Sequence, residues 1–226
     1  MDTALFRRFT YLIPDDYKHI YELNAQLKSI AVEDHFKKAG IFRLEIYQKE
    51  HIYFLLVDTN VSFNSHKLFQ LLKASETYGT FPLKMPQHDK ALERIYKLDQ
   101  KDIFTPTEGQ LKTSVEPYKR FVFTLSLVPN LIEEYKRIHG IGQAWPEITA
   151  NMKSVGVKDM EIYLAGTQAF LIMDTNPDFN IEEVGPKWQK LPREEEWQTA
   201  VAQFQKTDPD SAIQEKWKDM KNMLSN

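Results

Sequence analysis

The sequence FLLVDTNVSFN at residues 54–64 returns 116 positions later as FLIMDTNPDFN at residues 170–180. A second block, LEIY at 44–47, is matched by MEIY at 160–163, and its offset is again 116. Two matched blocks at a single offset indicate an internal duplication. The chain of 226 residues is therefore predicted to consist of two related units.

The pattern of apolar residues around these blocks predicts the same order of elements in each half of the chain. The predicted strands are 5–13, 42–48 and 51–58 in the first half, and 121–128, 158–164, 169–175 and the tail 216–224 in the second. The predicted helices are 17–39 (after a turn at 14–16), 64–75 and 87–99, then a helix from 129 to 156, 181–190 and 193–205. Few large apolar residues occur in TPTEGQLKTSVEP at 105–117, which predicts a linker, with a short final strand before it as an option.

The order β-α-β-β-α-β in each half predicts an α+β fold of two tandem ferredoxin-like units. The domains are then 1–104, the linker 105–117 and 118–226. Such a unit has helices on one face of an antiparallel sheet, so the other sheet face needs a partner. We expect the two units to pair as in a dimeric α+β barrel, which makes the chain an intramolecular pseudo-dimer. A monomer is the expected state, and a homodimer is the alternative.

Composition excludes several classes of function. The net charge is −3 with both signs interspersed, which does not indicate a nucleic-acid partner. The chain has no cysteine, so disulfides, thiol chemistry and thiolate zinc sites are excluded. No apolar run has the roughly 20 residues of a membrane span, and the N-terminus does not resemble a signal peptide. We therefore expect a cytoplasmic protein with no membrane partner.

The stretch LIEEYKRIHGIGQAWPE at 131–147 carries the candidate chemistry. Its spacing predicts an amphipathic helix on which Tyr135 and His139, four residues apart, share a face. Histidine exchanges protons near neutral pH without a special environment. The alternative is structural, because a histidine near the end of a helix also interacts favourably with the last carbonyls.

The second half resembles the L-rhamnose mutarotase family. The resemblance is carried by the strand FVFTLSLV at 121–128 and by EEYKRIH, WPEI, KSVG and IYL at 133–139, 145–148, 153–156 and 162–164. The tail LPREEEWQTAVAQFQ at 191–205 is similar to a branch sometimes assigned to L-fucose. The resemblance implies an isomerase that interconverts the α and β anomers of a 6-deoxyhexose, L-rhamnose or L-fucose, without metal or cofactor.

The resemblance also implies roles for individual residues. His139 falls on the family's proton-donor histidine, and Tyr135 on a sugar-contacting tyrosine. Met160 stands in place of a second sugar-contacting tyrosine, and Trp197-Gln198 in place of a pair of tryptophans. For Trp197, packing in the core is the alternative to a site wall. No Tyr/His pair appears at the matching positions of the first half, which we therefore predict to be a degenerate copy.

Opening a sugar ring requires two proton transfers, and the sequence indicates a group for one. The candidates for the second are Tyr135, Glu161, Asp174 and a bound water. Glu161 and Asp174 recur as Glu45 and Asp58 in the degenerate half, which favours structural roles for them. Two other functions stay open: a non-catalytic sugar-binding or regulatory protein, and another enzyme of this fold such as a cofactor-free oxygenase or a haem-binding protein.

Overall fold

The computed structural model describes residues 5–13, 30–75, 91–207 and 216–223. The predicted turn at 14–16 and the first part of the helix predicted from residue 17 lie outside these ranges. The strands are β1 (Leu5–Ile13), β2 (Ile41–Lys49), β3 (Ile52–Thr59), β4 (Glu93–Lys97), β5 (Gln110–Thr113), β6 (Lys119–Ser126), β7 (Val157–Ala165), β8 (Gln168–Thr175), β9 (Lys218–Asp219) and β10 (Lys221–Asn222). The helices are α1 (Ile30–Ala39), α2 (Ser65–Ser75), α3 (Ile132–His139), α4 (Pro146–Ser154), α5 (Ile181–Trp188) and α6 (Glu194–Ala202).

The chain divides into two compact units. The first comprises residues 1–93, 103–114 and 221–226, and the second comprises 94–102 and 115–220. In the described residues, each unit has an antiparallel sheet of five strands, in the orders β10-β2-β3-β1-β5 and β4-β7-β8-β6-β9. The α+β class with two tandem ferredoxin-like units is thereby confirmed.

The duplication predicted from the sequence extends to details of the backbone. A shift in register interrupts the pairing of β2 with β3 between Ile41 and Arg43, and the same shift occurs in β7 between Val157 and Asp159. Just before each shift, a glycine with positive φ ends a helical segment: Gly156, at φ +98°, accepts a hydrogen bond from the Asn176 N–H. Side chains rarely adopt such φ values, which explains glycine at this turn. The repeated blocks therefore encode equivalent strand pairs.

Buried hydrophobic residues form a separate core in each unit. The core of the first unit includes Phe9, Leu55 and Leu68, and that of the second includes Leu125, Ile162 and Phe204. In β3 and β8 almost every residue is buried, so both faces of these central strands are covered. This explains their nearly continuous apolar sequences.

Three expectations about the elements are wrong. The helix predicted over 87–99 is contradicted by β4, where Ile95 and Tyr96 suit a strand and pairing with β7 decides the conformation. The linker predicted at 105–117 contains β5, which pairs with β1. The single strand predicted at 216–224 is two short strands, β9 beside β6 and β10 beside β2. In each case a partner distant in sequence determines the structure.

Candidate functional site

The second unit contains a cavity of about 260 Å³. All five residues predicted for the site line it: Tyr135, His139, Met160, Trp197 and Gln198. Much of the remaining wall is apolar, with Phe123, Ala144, Ile148, Met152, Ile162, Leu171, Met173, Ile181 and Val201. The structure therefore brings together residues from two helices and a strand around one small, largely apolar space.

The helix expected from 129 to 156 is interrupted. Its first turn, Pro129–Leu131, is a 3-10 helix, and α3 ends at His139 because Gly140 has extended backbone angles. The chain becomes helical again at Pro146, whose fixed φ suits the first position of a helix. Glu133 and Glu134 in the first turn of α3 and the basic residues of its last turn complement the helix dipole. The break leaves His139 on the last turn of a short helix.

His139 is almost fully enclosed, with 7% of its surface exposed. Its Nδ1 atom lies 2.8 Å from the backbone carbonyl oxygen of Tyr135. A carbonyl oxygen only accepts hydrogen bonds, so in the neutral ring the proton resides on Nδ1. The bond therefore fixes the tautomer and leaves Nε2 as the nitrogen with a free lone pair.

Burial lowers the pKa of His139 to about 4, although the bond to the Tyr135 carbonyl acts in the opposite direction. The neutral imidazole is then the resting form at pH 7, and its Nε2 carries no proton. This differs from the near-neutral pKa expected from the sequence. Burial also raises the pKa of Tyr135 far above its usual value, so this phenol is neutral as well.

Aromatic rings continue outward from His139. The Trp197 ring centroid lies 5.6 Å from the His139 centroid in an edge-to-face arrangement, and Trp145 lies 5.4 Å from Trp197. The Arg193 guanidinium covers Trp145 at 4.0 Å from the ring centroid. Trp197 lines the cavity and Trp145 does not. Trp145 therefore packs behind Trp197 and helps to hold its ring in place.

The sequences of known proteins identify the family. A model of the L-rhamnose mutarotase family matches residues 120–225. An L-fucose mutarotase of Xanthomonas campestris pv. campestris is 30% identical over 89 residues, which cover 39% of this chain and 71% of that protein. The chain belongs to the L-rhamnose mutarotase family. A UPF0734 protein of Dictyostelium discoideum is 34% identical over 109 residues, which cover 46% of this chain and 86% of that protein. An L-rhamnose mutarotase of Acidiphilium cryptum is 27% identical over 96 residues, which cover 42% of this chain and 86% of that protein.

Sequence reasoning missed several residues that line this cavity. Tyr96, Trp188, Gln205 and Trp217 all line the cavity. Tyr96 lies on β4, which the sequence pattern assigned to a helix of the degenerate half, and its ring centroid is 6.1 Å from that of His139. Burial raises the pKa of Tyr96 to about 12. No signal in the sequence links Tyr96 to the His139 motif, because strand pairing alone brings them together.

Glu161 and Asp174, considered as groups for the second proton transfer, do not line the cavity. Glu161 accepts a hydrogen bond from the Arg94 guanidinium at 3.0 Å, and Asp174 accepts one from Arg120 at 2.7 Å. Alternate residues of a strand point to opposite faces, so Met160 and Ile162 reach the cavity while Glu161 does not. Asp58 of the first unit is likewise paired with Arg8, at 2.8 Å. These ion pairs favour structural roles for Glu161 and Asp174.

The matching positions in the first unit, at residues 19–24, lie outside the described residues. That this unit has lost its site therefore stays a prediction. Within the described ranges, no group of three or more His, Asp or Glu side chains is arranged to hold a metal ion. The helices among the same residues include none that is long and apolar enough to cross a membrane.

The burial of His139 predicts a pH dependence of stability. In the unfolded chain the imidazole takes up a proton near pH 6.5, but in the folded protein only near pH 4. The stabilising contribution is therefore complete above pH 6.5 and is lost as the pH falls to about 4, by up to ~3 kcal/mol. Urea unfolding at pH 7.5 and 4.5 should show a smaller acid loss in His139→Gln than in the wild type.

The control is His66→Gln, because His66 lies exposed on α2 of the first unit. This variant should lose as much stability at pH 4.5 as the wild type. Tyr96 and Tyr135, whose rings contact His139, have raised pKa values and do not titrate between pH 4 and 7. Equal acid losses in His139→Gln and the wild type would show that His139 is not buried in its neutral form.

Proposed function

We propose that the second unit is a mutarotase that interconverts the α and β anomers of a 6-deoxyhexose, L-rhamnose or L-fucose. The proposal rests above all on the geometry of His139, whose Nδ1 is held by a backbone carbonyl and whose Nε2 is left to exchange a proton. Membership of the L-rhamnose mutarotase family and the names of two relatives support it.

In the proposed reaction, Nε2 of neutral His139 accepts the proton of the anomeric hydroxyl. The bond from the anomeric carbon to the ring oxygen breaks, a carbonyl forms at that carbon, and the ring oxygen receives a proton. Rotation of the open-chain aldehyde and the reverse steps give the other anomer. The proton for the ring oxygen comes from a second group, and the imidazolium formed in the first step returns its proton to the carbonyl oxygen when the ring closes. Such acid–base catalysis contributes typically about 10²–10⁴-fold.

The second proton transfer has fewer candidates than the sequence left open. Glu161 and Asp174 are engaged with arginines away from the cavity, whereas Tyr96 and Tyr135 line it. Both phenols have raised pKa values and remain neutral at pH 7, so they are suited to donate hydrogen bonds to sugar oxygens. A water held near His139 is the other candidate for the second group.

The walls of the cavity suit a 6-deoxy sugar. Aromatic and aliphatic side chains cover the C–H face and the methyl group of such a sugar, which are its apolar parts. The volume of about 260 Å³ is smaller than the roughly 300–1,000 Å³ typical of pockets for drug-sized ligands. A single monosaccharide is therefore the proposed substrate. A cytoplasmic location and a monomer formed from the two units stay predictions.

A non-catalytic sugar-binding protein is the second candidate. It is favoured by Met160 and Gln198, which stand where the resemblance implies aromatic sugar contacts, and by the low pKa of His139, which makes its imidazole a weak base. This candidate predicts binding of L-rhamnose or L-fucose without faster exchange of the anomers. A haem-binding protein would instead retain colour on purification.

The deciding experiment is NMR saturation transfer between the anomeric protons of L-rhamnose and of L-fucose. We expect exchange above the rate in buffer for at least one of the two sugars with the wild-type protein, and the faster sugar identifies the substrate. Exchange at the buffer rate for both sugars, with binding seen by titration calorimetry, would favour the non-catalytic candidate.

A further inference from the structure

Gln205 occupies a fixed place at the edge of the cavity, just after α6. Its backbone N–H donates to the Ala202 carbonyl oxygen at 3.1 Å, and the residue forms an isolated β-bridge with Leu127. The next residue, Lys206, donates its N–H to the carbonyl oxygen of Ser126 at 2.9 Å. These bonds attach the segment to the end of β6, so the side chain starts from a rigid backbone.

The side chain of Gln205 is buried and incompletely satisfied. The residue is only 8% exposed and lines the cavity. Its amide oxygen Oε1 meets no hydrogen-bond donor among the described residues. Buried amide oxygens are nearly always paired, because leaving one unpaired loses the hydrogen bonds it had with water. An amide oxygen without a partner, on a residue that lines a cavity, therefore points to a partner on the ligand.

Gln205 and His139 line the same cavity. Phe204, the preceding residue, packs against Tyr135 with ring centroids 5.7 Å apart, and Tyr135 carries the carbonyl that holds His139. Gln198 lies seven residues before Gln205 and also lines the cavity. Two amides thus interrupt a wall that is otherwise mainly apolar, and amides both donate to and accept from hydroxyl groups.

We propose that Gln205 binds the sugar by a hydrogen bond between its side-chain amide and a ring hydroxyl other than the anomeric one. This inference rests on the proposed function, in which His139 serves the anomeric centre. The amide oxygen is itself enclosed by protein atoms, but the last torsion of a glutamine is soft, so rotation of the amide presents either end to the cavity. L-rhamnose and L-fucose differ in configuration at C2 and C4, which makes such a contact a determinant of specificity.

The test compares wild type with Gln205→Met, which keeps the length of the side chain and removes the amide. The dissociation constant for the sugar that the wild type binds more tightly, measured by calorimetry, should rise roughly three- to tenfold. The same titrations with the 2-, 3- and 4-deoxy analogues identify the hydroxyl. For the analogue that lacks the contacted hydroxyl, wild type and variant should bind equally.

The thermal midpoint separates binding from a structural role. Because Gln205→Met removes a buried amide oxygen that has no hydrogen-bond partner among the described residues, its midpoint should equal or exceed that of the wild type. Gln203→Met is the matched control, since Gln203 is exposed and should leave the dissociation constant unchanged. Equal affinities of Gln205→Met and wild type for the parent sugar, or the same loss for all three analogues, would overturn the inference. Absence of anomer exchange in the wild type would instead refute the proposed function, while the binding comparison would still test Gln205.

Discussion

Replacing His139 by alanine is expected to slow anomer exchange by about 10²–10⁴-fold, which brings it to or near the rate in buffer. The reason is that Nε2 of His139 is the proposed proton acceptor. The carboxylates of Glu161 and Asp174 cannot replace it, because they are paired with arginines away from the cavity. Saturation transfer on L-rhamnose and L-fucose measures the effect. Because the imidazole acts on protons rather than supplying most of the binding surface, the dissociation constant should change far less than the exchange rate.

Two further variants make the result specific. His66→Ala removes an exposed histidine from the first unit and should keep full exchange. Tyr96→Phe keeps the ring beside His139 and removes only the phenolic hydroxyl. It therefore tests Tyr96 as the group for the second proton transfer. A His139→Ala protein that is folded, binds the sugar and exchanges its anomers as fast as wild type would exclude His139 from the chemistry.

Replacing Arg94 by methionine is expected to destabilise the second unit by about 3–5 kcal/mol. The Arg94 and Glu161 side chains are only 2% and 1% exposed, so the variant removes the cation that faces a buried carboxylate. The Tyr163 hydroxyl, which donates to Glu161 at 3.0 Å, does not neutralise that charge. All four tryptophans of the chain lie in this unit, so urea unfolding followed by tryptophan fluorescence reports on it selectively.

The matched control is Arg137→Met. Arg137 pairs with Glu134 at 2.6 Å, but the two side chains are 62% and 45% exposed, and exposed pairs contribute only about 0–1 kcal/mol. The double variant Arg94→Met/Glu161→Leu should recover much of the lost stability, because it also removes the buried negative charge that Arg94 compensates. If Arg94→Met cost no more than Arg137→Met, the buried pair would have no role in holding β4 to β7.

Prediction from the sequence succeeded where the determining contacts are local or repeated. The alternation of apolar residues located β1 and β6, and the duplicated blocks located the paired strands β2–β3 and β7–β8. The five residues predicted for the site all line one cavity. The helix spacing of four places Tyr135 and His139 together, whereas Met160, Trp197 and Gln198 were implied by the resemblance to the family. Their roles stay proposals.

Prediction failed where contacts with a partner distant in sequence determine the local conformation. The pattern at 87–99 indicated a helix, yet residues 93–97 form a strand because they pair with β7, and this pairing brings Tyr96 to the cavity. The helix through 131–147 is broken because Gly140 leaves the helical conformation and Pro146 begins a new helix. Neither result follows from the spacing of apolar residues.

The duplication, the α+β class and the family depend on the order and type of residues along the chain, so they can be read from the sequence. The protonation of His139 and the composition of the cavity depend on the folded structure. Burial lowers the pKa of the imidazole, and the Tyr135 carbonyl fixes its tautomer. Tyr96 and Gln205 reach the cavity through strand pairing and backbone contacts that the linear sequence does not encode locally. Desolvation and long-range pairing are properties of the folded chain, and they set the chemistry that the motif makes available.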